Sequence, residues 1–171
     1  MKSKTVLIQA SARSEGDTSV VSNYLKTEFG MDLIDLKTLN INPFDYDNNN
    51  QDDDFLPTIN KLIEDYNCWV FLSPVYWYSI SARMKIFLDR ISDLLMWNKE
   101  LGRKIRGKNM ALISVSNSSL DNPHFGLPIS LSAEYLSMNY MGHNHSIVVR
   151  GKLPEEEAEK LQELFKSSLI S

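Results

Sequence analysis

The segment Gln9-Ala10-Ser11-Ala12-Arg13-Ser14-Glu15-Gly16-Asp17-Thr18-Ser19 gathers hydroxyl groups, one glycine and one arginine between a short apolar run and a helical pattern. Those residue types suit an anion. Ser11, Thr18 and Ser19 bring hydroxyl donors and Arg13 a full positive charge, while the free N–H groups at a helix start carry partial positive charge. A phosphate monoester is the natural guest. The plainer alternative makes Asp17 or Thr18 a helix N-cap and Arg13 a solvated surface residue. The chain has no GxxxxGK[ST] and no GxGxxG after its first apolar run, which argues against a nucleoside triphosphate site. Gln9 and Ser11 also stand where a phosphorylated receiver domain needs paired acids to hold magnesium.

A second segment, Ser73-Pro74-Val75-Tyr76-Trp77-Tyr78-Ser79-Ile80-Ser81, sets three consecutive aromatic residues behind another apolar run. Pro74 stops a strand and stiffens the turn. The N–H groups that follow are then free to bond heteroatoms at the rim of a flat ring, while an aromatic side chain contacts its face. An isoalloxazine ring fits such a loop. Alternatively Tyr76, Trp77 and Tyr78 cover the end of a sheet or form a subunit contact, since aromatics are enriched at interfaces.

The apolar spacing predicts the elements that position these loops. Thr5-Val6-Leu7-Ile8 reads as a buried strand, and Val20, Val21, Tyr24, Leu25 and Phe29 recur at helical spacing. Leu33, Ile34 and Leu36 suggest a second strand, Asp45 to Asp54 a solvated Asn/Asp-rich loop, and Leu56, Ile59, Leu62 and Ile63 a short helix. Cys68-Trp69-Val70-Phe71-Leu72 forms a third strand, followed by the clearest helical stripe of the chain, Met84, Phe87, Leu88, Ile91 and Leu95. Met110 to Val115 makes a fourth strand. Ile129, Ala133, Leu136 and Tyr140 mark the next helix, with Gly142 suited to its end. Ile147-Val148-Val149 is then a fifth strand, and Pro154 with Glu155 to Glu157 opens a last helix carrying Leu161, Leu164 and Phe165. Five β-α units with strands apolar on both faces predict a doubly wound α/β fold: a parallel sheet covered on both sides, binding ligands at the carboxyl ends of its strands.

Through Ser11-Ala12-Arg13-Ser14-Glu15-Gly16-Asp17-Thr18 and through the stretch from Pro74 to Arg90, the chain resembles the NAD(P)H-dependent FMN reductase-like branch of the flavodoxin superfamily. In the second stretch Lys85, Phe87, Asp89 and Arg90 fall as in that family's K-x-F-[IL]-D-R run. The resemblance spans essentially the whole chain, as a single domain over residues 1–171, and implies a flavodoxin-like three-layer fold with strand order 2-1-3-4-5. It implies FMN as cofactor, its phosphate held by Ser11, Arg13, Asp17, Thr18 and Ser19 and its ring lying against Pro74, Val75, Tyr76, Trp77 and Tyr78. After the fourth strand many relatives are glycine-rich, whereas this chain has Ser116-Asn117-Ser118-Ser119-Leu120-Asp121-Asn122-Pro123. Ser116 and Asn117 are left to bond the pyrimidine edge, without the glycines that would let backbone approach the ring closely.

The activity implied is ping-pong: NADH or NADPH reduces the flavin, which then reduces a quinone, azo compound, nitroaromatic, metal oxyanion or free flavin. The flavin performs the redox step, so no protein nucleophile is needed. The family commonly forms homodimers in which the partner closes the flavin pocket. A flavodoxin-type electron carrier and a cofactor-free interaction domain are the competing functions; Arg13 and the modest acidity weigh against the carrier.

Weaker signals point to structure. Asp89 and Arg90 read as structural or subunit contacts rather than a catalytic pair. His143 and His145 share the spacing of one strand face, but neither cysteine nor clustered carboxylates complete a metal set, so no metal is expected. His124 with Phe125 reads as a pocket wall. The run Lys99, Arg103, Lys104, Arg106 and Lys108 reads as a solvated connection before a strand rather than a phosphate site.

Composition sets the outer limits. A net charge of −4 disfavours broad nucleic-acid binding, and no apolar run approaches the roughly 20 residues of a membrane span. The single Cys68 and the absence of a signal-peptide pattern at the start predict a cytoplasmic protein.

Overall fold

The computed structural model describes residues 4–120 and 122–168. Five parallel strands form one sheet: β1 (Thr5–Gln9), β2 (Asp32–Asp35), β3 (Cys68–Pro74), β4 (Asn109–Ser116) and β5 (Asn139–Ile147), in the order β2-β1-β3-β4-β5. The helices are α1 (Asp17–Phe29), α2 (Phe55–Asp65), α3 (Ala82–Arg90), α4 (Ser92–Met96), α5 (Lys99–Arg103), α6 (Leu127–Tyr135) and α7 (Glu155–Ser168). This is the flavodoxin-like arrangement that the family resemblance implies.

The two-sided apolar strands follow from the layers. Val6, Ile8, Trp69, Phe71, Met110 and Leu112 pack with α2, α3, α4 and α6, while Leu7, Val70, Leu72, Ala111, Ile113 and Val115 pack with α1 and α7. Trp69 is fully buried and satisfies its indole by donating to the Leu62 carbonyl at 3.2 Å. Cys68, at the start of β3, is buried as well, and burial pushes its thiol up to about 11, a hydrogen bond with Thr5 opposing only part of the shift.

Four expectations change. Leu36 leaves β2 and begins a 3₁₀ turn, Leu36–Thr38, capped by Asp35, which accepts from the Lys37 amide at 2.9 Å. The long stripe from Met84 to Leu95 is two helices. Ile91 and Leu94 donate to Leu88 and Ile91, respectively, through tight i to i−3 bonds, and this turn sets Asp93 against Arg90. The Asn/Asp-rich loop is anchored rather than wholly solvated, because Asp53 is buried against Arg90. Arg90 is thus structural, as expected.

The fourth change matters most for the site. Tyr140 and Gly142 belong to β5 rather than to a helix, and β5 ends at Ile147, so Val148 and Val149 lie beyond it. The pairing with β4 slips between Met110 and Ala111, which face Tyr140 and Gly142 and leave Met141 as an extra residue. Gly142 supplies the positive φ, 114°, at this bulge. As a result Tyr140, His143 and His145 share the sheet face of their partners Met110, Leu112 and Ser114, although Tyr140 and His143 are three apart in sequence.

Candidate active site

Strand order reverses between β1 and β3, so the loops after β1, β3 and β4 converge at the carboxyl edge of the sheet, where doubly wound folds bind ligands. The first loop is tied down at its base. Gln9 bridges it to α1, accepting from Ser22 Oγ at 2.6 Å and donating to the Ser14 carbonyl at 3.2 Å. Ser19 is engaged with the helix start: its hydroxyl donates to the Gly16 carbonyl at 2.7 Å and accepts from the Gly16 amide at 2.9 Å.

Other donors stay free. The Ser11 and Thr18 side chains donate to no acceptor among the described residues, and neither do the amides of Asp17, Thr18 and Ser19 that head α1. Ser11 and Thr18 are buried, whereas Arg13 is exposed. The Arg13 side chain folds over Gly16 so closely that a Cβ there would lie 2.6 Å from its Nε. Gly16 is extended, at φ 166°, so what restricts the position is the arginine and not the backbone.

The third-strand loop is joined to the first. Ser81 caps α3 by accepting from the Met84 amide at 3.1 Å, and its hydroxyl donates to the Ala10 carbonyl at 2.5 Å. Sequence reasoning missed this tie, although a serine ahead of a helical stripe is the signal for it. Beyond Pro74 and Val75 the chain makes a two-residue hairpin in which the Tyr76 and Ser79 amides each donate to the other's carbonyl at 3.0 Å. Its central residues, Trp77 and Tyr78, both have positive φ, 50° and 59°, as a type I′ turn demands. Their rings point outward, Trp77 being 96% and Tyr78 70% exposed. Bulky aromatics in that region are strained, and such strain gathers at functional sites.

In the loop after β4, Ser116 Oγ donates to the Ser118 carbonyl at 2.6 Å, and Asn117 is exposed with no side-chain bond among the described residues. Asn122 reaches the Tyr78 carbonyl at 3.4 Å and links this loop to the hairpin. His124 is exposed, while Phe125 is buried and stacks on His143 at 5.2 Å. Beneath them lies a polar row that the sequence did not reveal. Ser114 Oγ is 2.7 Å from His143 Nε2 and 2.8 Å from His145 Nδ1. Burial first, and the charge of His145 second, hold His143 below the usual imidazole range.

Gly126 closes over this row: a Cβ there would lie 2.8 Å from both His143 Cβ and Tyr140 Oη. Gly126→Ala is therefore expected to cost about 1–3 kcal/mol, read as a fall in denaturant midpoint at unchanged slope.

Among the described residues no group of three or more His, Cys, Asp or Glu can hold a metal ion, and no helix is long and apolar enough to cross a membrane. The basic run lies before β4, at the opposite end of the sheet from these loops. There Lys104 pairs with Glu64 at 2.7 Å and Lys108 donates to the Tyr66 carbonyl at 2.6 Å.

Comparison with known proteins agrees with this fold. YwqN of Bacillus subtilis (strain 168), a protein named as an NAD(P)H-dependent FMN-containing oxidoreductase, is 26% identical over 158 residues, 87% of this chain and 84% of its own. The flavoenzyme FerB of Paracoccus denitrificans, named as an NAD(P)H:(acceptor) oxidoreductase, superimposes with a TM-score of 0.72 at 13% identity, over 98% of this chain and 94% of its own. General stress protein 14 of Treponema denticola, solved in complex with FMN, gives 0.59 at 16% identity, over 96% and 94%. The model of the NADPH-dependent FMN reductase family matches residues 3–152, and the chain belongs to that family.

Proposed function

We propose that the loops after β1, β3 and β4 hold FMN and that the chain passes a hydride equivalent from NADH or NADPH to a small acceptor by a ping-pong mechanism. The free donors at the head of α1 carry this reading. Ser11 and Thr18 offer hydroxyl protons, the first-turn amides offer theirs, and Arg13 adds charge, a set that matches a terminal phosphate. Asp17 and Ser19 serve through their amides, since a carboxylate has no proton to give and the Ser19 hydroxyl is engaged with Gly16. Pro74, Val75 and the strained hairpin of Tyr76, Trp77 and Tyr78 border the ring, with Ser116 and Asn117 at its polar edge.

When bound, FMN supplies the two-electron chemistry. The protein positions it, and the exposed aromatics leave one side open for nucleotide and acceptor in turn. The acceptor class is a quinone, azo compound, nitroaromatic or flavin. Homodimerisation and a cytoplasmic location belong to the same reading. A second copy has a candidate seat where Leu95, Leu131 and Tyr135, all exposed, line one groove between α4 and α6.

Anaerobic stopped-flow of the FMN-loaded protein with NADPH or NADH tests the proposal. Rapid bleaching of the flavin band is the expected result; bound flavin that stays oxidised favours an electron carrier, and failure to bind FMN overturns the reading. Arg13→Ala is expected to weaken FMN binding by about 10–100-fold, the worth of a hydrogen bond to a charged group, measured by fluorescence titration.

A further inference from the structure

The row Ser114, His143 and His145 has no part in holding the first two loops, yet it ends in the third. His145 Nε2 lies 2.9 Å from the Ser118 carbonyl and 3.2 Å from Ser116 Oγ, at the mouth of the site. The bond partners assign the hydrogens. A carbonyl can only accept, so His145 carries a hydrogen on Nε2. Neutral His145 then accepts the Ser114 hydroxyl at Nδ1, and Ser114 accepts from His143 Nε2.

If His145 takes a second proton at Nδ1, the bond to Ser114 reverses. The serine hydroxyl turns to His143 Nε2, which accepts it once His143 has moved its own hydrogen from Nε2 to Nδ1. Every bond in the chain survives in both states, because a hydroxyl rotor donates and accepts equally well and a neutral imidazole can carry its hydrogen on either nitrogen. An amide or a carbonyl between the two rings could not do this. The bulge at Met141 is what brings both rings to one serine.

We propose that His145 is the proton source for reduction of the acceptor, acting through the Ser116 hydroxyl, with Ser114 and His143 as positioning residues that hold its second ring nitrogen. This rests on the functional reading above. A carbonyl-type acceptor such as a quinone gains two electrons and one hydrogen with a hydride and needs one further proton on oxygen. The Ser116 hydroxyl turns from the Ser118 carbonyl to the acceptor oxygen; its O–H bond breaks as the acceptor O–H forms, and the His145 Nε2–H bond breaks as the Ser116 O–H forms again. The imidazolium becomes a neutral ring with its hydrogen on Nδ1 and is recharged from water. The electrons come from the nicotinamide nucleotide, which leaves oxidised.

The surroundings disfavour a second proton on the row. Burial first, and the charge of His145 second, hold His143 below the usual imidazole range. β4 presents Leu112 and Ser114 to the two rings, neither of which titrates near neutrality. Among the described residues, the other titratable groups near them are Tyr140 on the same face and exposed His124 in the loop that stacks Phe125 on His143. α7 brings Glu157 to the Ile147 amide at the strand end, 3.1 Å away.

Two acceptors separate proton from electrons: a benzoquinone needs both, whereas ferricyanide takes electrons alone. In the FMN-loaded protein, His145→Gln, whose amide can still donate to the Ser118 carbonyl, is expected to lower the ratio of quinone to ferricyanide turnover at least about tenfold. It should also flatten the pH profile of the quinone rate. An unchanged ratio overturns the relay. Side-chain ¹⁵N NMR of the same protein, without acceptor, provides a readout independent of turnover. The two rings should take up protons as a coupled pair, and Ser114→Ala should uncouple them. Two independent titrations untouched by Ser114→Ala also overturn it. Loss of FMN binding in the unaltered chain instead overturns the functional reading, so the two failures are distinguishable.

Discussion

Substituting Arg90 with methionine is expected to lower the unfolding free energy by about 3–5 kcal/mol, since it leaves buried carboxylates without a partner. For a chain of this size that corresponds to a fall in Tm of roughly 10 °C or more. Arg90 is 1% exposed and lies 2.5 Å from Asp53 and 2.7 Å from Asp93. It also donates to the carbonyls of Asn42 and Asn50, both at 3.1 Å, and its guanidinium sits 4.8 Å from the Phe55 ring centre. One side chain therefore fastens the whole Asn/Asp-rich loop to α3, and methionine keeps only the packing.

The loss should depend on pH. Burial pushes the Asp53 carboxyl up, but Arg90 and the amides of Asn42 and Phe55 together hold it below the ordinary carboxylate value. A lowered folded-state value stabilises the protein above the unfolded value of roughly 3.9, and the contribution is lost as pH falls through the folded one. The gap between the parent chain and Arg90→Met should thus hold from neutrality down to about pH 4 and narrow toward roughly pH 2. Urea midpoints across this range test this, and equal midpoints at pH 7 would remove Arg90 from the account of stability.

The second large effect separates stability from activity. Replacing Trp77→Asn together with Tyr78→Gly gives the hairpin the residues that a type I′ turn prefers, and relieves a cost of roughly 1–2 kcal/mol at each non-glycine position. The two exposed rings contribute little to the core, so the double variant should unfold at a higher temperature than the parent. Its turnover with NAD(P)H and an acceptor should nevertheless fall, by at least about tenfold, if those rings border the flavin, since strain kept at a functional site is exchanged for activity. A variant that gains stability and keeps full turnover would assign the rings to some other contact.

How far the sequence exposes this molecule depends on how local the deciding forces are. β1, β3 and β4 are legible because helices cover both faces and force uninterrupted apolar runs. The first two loops are legible because hydroxyls, an arginine and a Pro-aromatic cluster stand directly after those strands. β5 is not: it is an edge strand, half exposed, and the polar run Asn139 to Ser146 carries no two-sided apolar pattern. Tyr140 therefore falls into register with the preceding helical stripe. The bulge that turns it toward His143 is set by pairing with β4, which no local period encodes. Asp53 is buried for a similar reason, because its partner lies 37 residues away in sequence. Ser114 was hidden inside an otherwise apolar strand, and only the structure brings two histidines to it.

The placement of Cys68 bears on how long such an enzyme survives its own chemistry. Quinones and nitroaromatics are electrophiles that arylate thiolates, and a thiol with a pKa of about 11 is ionised at neutral pH in roughly one molecule in ten thousand. The only sulfhydryl of the chain is also enclosed at the start of β3, at the end of the sheet opposite the loops that would receive such compounds. The catalyst thus offers no accessible thiolate to the molecules it would handle, and inactivation by adducts at a cysteine is opposed by architecture rather than by a repair reaction.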